Sequence, residues 1–160
     1  MSERIDPVCG MTIAEQAQIT YPFHGEKYSF CSNQCREAFI AQPHVYVRRL
    51  GQKAPKKLGV EVLKERTPKL DQHPTPEQTR AIEQALAAVM GLKGLTVRGQ
   101  RVHVTYDLVQ VTAMQIEAAI NAAGAQLSQS VNARLRRAWV GFGEENELSN
   151  LEARKHNCCH

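Results

Sequence analysis

Three of the five cysteines, Cys9, Cys31 and Cys35, fall within the first 35 residues, and the other two, Cys158 and Cys159, come only after residue 157. This placement is the tightest constraint on the fold. An amino-terminal segment of about 50 residues buries too little apolar surface to be stable by packing alone, so a metal or a partner is expected to hold it. An odd number of cysteines cannot all pair within one chain, which disfavours a secreted disulfide scaffold. The opening residues, Met1-Ser2-Glu3-Arg4-Ile5-Asp6-Pro7, have no basic segment followed by an apolar run. The expectation is therefore a cytoplasmic chain, where thiols stay reduced and serve metal or redox chemistry.

The 160 residues suit one domain or two small ones, and an apolar share of 42% with 22% charged residues describes a globular chain. The longest strongly apolar stretch, Ala85 to Met90, is far shorter than the roughly 20 residues a membrane span needs, so membrane insertion is not expected. The net charge of +4 is concentrated: Arg48, Arg49, Lys53, Lys56, Lys57, Lys64, Arg66 and Lys69 face only Glu61 and Glu65. No aromatic residue follows Tyr46 within that strip to stack on bases, so a solvated linker is expected rather than a nucleic-acid surface.

These features divide the chain into a metal-binding domain at 1–50, a basic linker at 51–56, a domain at 57–128 and a carboxy-terminal helix and tail at 129–160. Leu58, Val60 and Val62 alternate as in a strand. Thr75-Pro76-Glu77-Gln78 has the spacing of a capping box and opens a helix with Ile82, Ala85, Leu86 and Val89 on its apolar face, stopped by Gly91. Leu95 and Val97, the turn Gly99-Gln100, and Val102, Val104 and Tyr106 predict a hairpin. Thr112 and Gln115 repeat the capping box before a helix ended by Gly124, and a last strand is expected around Leu127. The order β-α-β-β-α-β is that of a ferredoxin-like domain, and the chain as a whole reads as α+β. Residues 130–156 read as a helix broken or bent at Gly141 and Gly143, with Leu135, Trp139 and Val140 on its apolar side and Glu144, Glu145, Glu147 and Glu152 exposed.

Cys9 lies in a Pro-Val-Cys-Gly turn, and Cys31 and Cys35 bracket a helix start with Ser32 as N-cap, where backbone N–H groups and the helix dipole favour thiolate. Three thiolates suit Cu(I), Zn(II) or another soft ion. A tetrahedral site needs a fourth ligand, for which His24 comes first, with His44 and Asp6 behind it. His24 reads equally as a polar turn residue. The tail His156-Asn157-Cys158-Cys159-His160 gathers four further soft or borderline ligands, read as a second site, with a reactive free end or a vicinal disulfide as the alternatives.

Asp6-Pro7-Val8-Cys9-Gly10-Met11, then Tyr21, Gly25, Tyr28-Ser29-Phe30-Cys31-Ser32-Asn33-Gln34-Cys35, Phe39, Pro43 and Tyr46, resemble a YHS domain of the treble-clef-like, TRASH-like metal-binding group. That resemblance implies soft-metal handling beside heavy-metal-transporting ATPases. Val104-Thr105-Tyr106-Asp107, Val111-Thr112 and Gln115 to Gly124 are similar to the second half of a heavy-metal-associated, copper-chaperone domain. Here Thr75 and Gln78 stand where that family's two cysteines belong, so its metal site is not carried over. His73 and His103 remain as weak candidate ligands. The expected function is a soft-metal carrier, buffer or homeostasis accessory rather than an enzyme, partnered by a metal-transporting ATPase, another metalloprotein or a second copy. The alternative is a zinc-stabilised interaction module whose ferredoxin-like domain is the docking platform.

Overall fold

The computed structural model describes residues 4–14, 19–47, 54, 56 and 59–153. Within them the chain is a mixed α+β protein of small antiparallel sheets and five helices. It divides into two compact units, one holding residues up to Val60 together with those from Gly143 onward, the other Glu61–Phe142. No helix among the described residues is long and apolar enough to cross a membrane.

In the first unit, β1 (Arg4–Ile5) pairs with β2 (Thr12–Ile13) around the turn that carries Cys9. The turn closes through Asp6 N–H to the Met11 carbonyl at 2.9 Å and Gly10 N–H to the Asp6 carbonyl at 2.9 Å. β3 (Ile19–Phe23) and β4 (Glu26–Phe30) form a hairpin through His24 and Gly25, both with positive φ (48° and 83°), the backbone that a two-residue turn of matching twist requires. Next come α1 (Asn33–Ala41) and the single turn α2 (Pro43–Tyr46). Phe39, fully buried on α1, organises the core, with the rings of Phe23, Tyr28 and Phe30 centred 5.1–5.6 Å away.

The second unit holds a three-stranded sheet in the order β5 (Leu63–Arg66), β7 (Arg101–Asp107), β6 (Leu92–Arg98). Its helices are α3 (Pro76–Ala87) and α4 (Ala113–Ala122), and both carry the expected capping boxes, Thr75 with Gln78 and Thr112 with Gln115. Val102, Val104 and Tyr106 of β7 are buried, as are Ile82, Leu86, Ile116 and Ile120 of the helices. Gly91 has φ +89°, and a Cβ there would stand 2.6 Å from Cβ of Gln110, so no other residue fits where the chain leaves α3 for β6.

Three expectations are corrected. The alternation at Val60 and Val62 does not mark the strand, which is β5 at Leu63–Arg66, because the register pairs Leu63 with Asp107 and Arg66 with Val104. Val62 is instead tied to the end of β7: its N–H donates to the Asp107 carboxylate at 3.0 Å and its carbonyl accepts from Leu108. The last strand is reduced to one antiparallel bridge, Leu70 with Leu127. Finally, α5 (Val131–Ala153) runs unbroken through Gly141 and Gly143, and the expectation for its faces holds only in part: Val140 lines a cavity and Glu145 is exposed as expected, but Leu135 and Trp139 are 55% and 74% exposed and Glu144 is buried. Its inner stripe of Ala133, Arg137 and Val140 continues past the glycines to the buried Glu144, Leu148 and Leu151, and that packing outweighs their weak helix propensity.

Candidate metal centre

Asp6, at the end of β1, is fully buried, and its carboxylate ties together the chain segments that carry the thiols. One oxygen, Oδ1, accepts from the N–H groups of Val8 at 2.8 Å and Cys9 at 3.3 Å, and Oδ2 accepts from Cys31 N–H at 2.8 Å. The first pair fixes the Pro-Val-Cys-Gly turn as an aspartate-capped turn. The third bond fastens that turn to the residue after β4. Cys35 is placed by α1: the Ser32 hydroxyl caps the helix by accepting from Cys35 N–H at 3.2 Å.

The result is convergence. Cys9 Sγ lies 3.5 Å from Cys31 Sγ, which lies 3.8 Å from Cys35 Sγ, and with a carboxylate oxygen of Asp6 all four donor atoms fall within 4.8 Å of one another. Cys9, Cys31 and Cys35 are thiols, not joined in a disulfide. A tetrahedral ion with Zn–S bonds of about 2.3 Å spreads its sulfurs about 3.8 Å apart, so the spacing fits sulfurs arranged around one ion. Three sulfurs and one carboxylate suit a thiophilic ion and are a poor shell for magnesium or calcium.

Burial pushes the Cys9 thiol up to about 11 from its ordinary 9.0, partly opposed by the Met11 backbone, with Cys31 and Asp6 adding to the rise. Burial likewise raises Cys35 far above the ordinary thiol range, against the lowering contact with Ser32. The expected thiolate character at the helix start is therefore overridden by desolvation and by the neighbouring carboxylate. Without metal Cys9 and Cys35 keep their protons at neutral pH, and an incoming ion must displace them. Two consequences are measurable. Soft-metal affinity should rise with pH, with proton release on binding visible as a dependence of the calorimetric heat on buffer. The stability that Cys9 gives the metal-free, reduced chain is fully present below pH 9 and should be lost as pH rises toward 11, which thermal unfolding across that range would record.

His24 is not part of this cluster. It sits exposed in the β3–β4 turn with its ring centred 4.2 Å from Phe23 and 5.9 Å from His44, so the hairpin turn holds it among aromatic rings, while it is the Asp6 carboxylate that lies beside the three sulfurs. His44, on α2, also packs on Phe23, with centroids 5.5 Å apart. His73 and His103 are both exposed in the second unit, and His103 Nδ1 is 3.1 Å from the Thr67 hydroxyl. Thr75 and Gln78 are spent on capping α3. His156, Cys158, Cys159 and His160 lie outside the described residues.

Sequence reasoning ranked Asp6 last among the candidate ligands. The signal that could have raised it is the Asp-Pro-Val-Cys run itself, since an aspartate two and three residues before backbone N–H groups favours capping that turn.

Comparison with known proteins agrees with this site. Residues 4–49 match the YHS domain family. None of the curated proteins compared matches the chain. The YHS match and the Cys/Asp cluster together fit a metal-binding role for the first unit.

Proposed function

We propose that the protein is a cytoplasmic soft-metal carrier or buffer that holds one thiophilic ion, Cu(I) or Zn(II), on Cys9, Cys31, Cys35 and Asp6. The observation that carries this reading is the approach of three thiols and one buried carboxylate within 4.8 Å. We read the hairpin β3–β4 followed by α1 as treble-clef-like, with ligands from a turn, the hairpin's end and the helix start. We read the second unit as ferredoxin-like: the Leu70–Leu127 bridge beside β5 extends the order β5-β7-β6 to that of a β-α-β-β-α-β domain. It resembles a heavy-metal-associated domain whose cysteine positions have become the helix cap of Thr75 and Gln78, and we assign it to docking on a metal-transporting ATPase or another metalloprotein. No catalytic role is assigned.

The test is metal analysis of reduced full-length protein in which Cys158 and Cys159 are both replaced by Ser, isolating the first site. Stoichiometric Cu(I) or Zn(II), lost on Cys9→Ser and on Cys35→Ser alike, is the expected result. Retention of the ion by either variant would overturn the ligand set. A second reading, zinc held only for folding, is favoured by the burial of Cys35 and Asp6. An ion that does not pass to a competing thiol chelator would select it over the carrier.

A further inference from the structure

The outward face of α5 carries an apolar stripe that is exposed among the described residues. Val131, Leu135, Trp139 and Phe142 are 71%, 55%, 74% and 62% exposed, and their spacing of four, four and three residues puts them on one side of the helix. Met114 of α4, 70% exposed, lies beside it, with its sulfur 3.9 Å from where a Cβ on Gly141 would stand. The opposite side of α5 is accounted for. Ala133, Arg137 and Val140 line an approximately 450 Å³ cavity over Val104 and Ile116, and Arg137 is held by Glu117 at 3.6 Å and by the Ser128 carbonyl at 2.7 Å. A helix with two apolar sides, one of them in water, has a partner for the second.

We propose that this partner is a second copy of the same helix, packed antiparallel about a two-fold axis at Trp139. The charge order along α5 selects that arrangement. Arg134, Arg136 and Arg137 precede Trp139, and Glu144, Glu145 and Glu147 follow it. Arg134 and Glu145 are 11 residues apart, close to three full turns, so they lie along one flank of the stripe. An antiparallel pairing centred on Trp139 sets the two indoles side by side, places Leu135 across from the partner's Phe142, and brings Arg134 opposite the partner's Glu145 twice over by symmetry. A parallel pairing would instead place Arg134 across from the partner's other flank, where Arg136 lies at nearly the same height, and like charges facing across a helix pair are unfavourable. An anionic lipid surface would accept Arg134 and Arg136 but would meet Glu145 on the same flank, which disfavours it.

Sedimentation of the full chain tests this, with metal bound, reductant present and Cys158 and Cys159 replaced by Ser so that neither a disulfide nor a tail-bound ion can link two copies. A monomer–dimer equilibrium is expected, with the Trp139 fluorescence shifting to the blue as dimer forms. Trp139→Ala, at an exposed position that does not endanger the fold, should weaken association at least about tenfold. Arg134→Glu and Glu145→Arg should each weaken it about tenfold, and the two together should restore it, which only the antiparallel register allows. A chain that stays monomeric, a dimer indifferent to Trp139→Ala, or a double reversal no better than either single one would each overturn the proposal. So would recruitment of the monomer to anionic phospholipid vesicles.

Discussion

Replacing Asp6 by Ala should abolish soft-metal binding at the first site and unfold the metal-free first unit. The change removes one metal donor and leaves the N–H groups of Val8, Cys9 and Cys31 without their acceptor. Unsatisfied buried donors cost about 1–3 kcal/mol each, and a unit this small has only a few kcal/mol to lose. Asp6→Asn separates the two roles. It preserves the shape and one acceptor oxygen, but it turns an NH₂ toward a backbone N–H and withdraws the negative charge. We expect the Asn variant to fold with metal and to hold the ion at least about tenfold more weakly, in the range that loss of a supporting carboxylate produces. Competition against a chelator of known affinity measures this. Unchanged affinity in Asp6→Asn would remove Asp6 from the ligand set and leave it a positioning residue.

The second unit contains a counterpart. Asp107, at the end of β7, is fully buried, and its Oδ1 accepts from Val62 N–H at 3.0 Å and Val109 N–H at 3.1 Å while Oδ2 accepts from the Gln110 side chain at 3.1 Å. It thereby joins the entry to β5, the exit from β7 and the approach to α4. Asp107→Ala should destabilise this unit by about 3 kcal/mol, since bonds to a buried charged acceptor are the strong ones and their donors are left orphaned. Chemical denaturation followed by circular dichroism reads the loss, and metal binding at Cys9, Cys31 and Cys35 should be unaffected. A change within about 0.5 kcal/mol would mean that the three donors find other acceptors.

What could be read in the sequence were the features whose determinants are local. Both capping boxes depend on residues three apart, the β6–β7 hairpin on the Gly99-Gln100 turn, and the α1 start on Ser32 beside Cys31 and Cys35. The misjudged features depend on contacts between distant segments. β5 is set by pairing with β7 some 40 residues later, and its half-buried Lys64 and Arg66, whose stems can cover apolar surface, hide the alternation that marks a strand. The choice between His24 and Asp6 could not be made from residue type, because imidazole is the more familiar soft-metal ligand. What brings Asp6 rather than His24 beside the three sulfurs is that its carboxylate reaches Cys31 N–H across 25 residues of chain. In α5, two apolar stripes share one helix, and the sequence carries no mark of which one the rest of the chain covers.

The first unit takes its last piece from the carboxy-terminal end of the sequence, after the whole of the second unit. Residues 4–47 supply the turn, the hairpin and α1, whereas Leu148 and Leu151, both buried, and Ser149, which accepts from the Gln42 side chain at 3.4 Å, come from the end of α5. On a ribosome adding about 5–20 residues per second, roughly a hundred residues separate the two contributions, an interval of about 5–20 s. Throughout that interval Asp6, Cys9, Cys31 and Cys35 have all been made while the segment bearing Leu148 and Leu151 has not. Any ion that the nascent thiols take up in that interval is bound before the carboxy-terminal segment that completes the first unit exists.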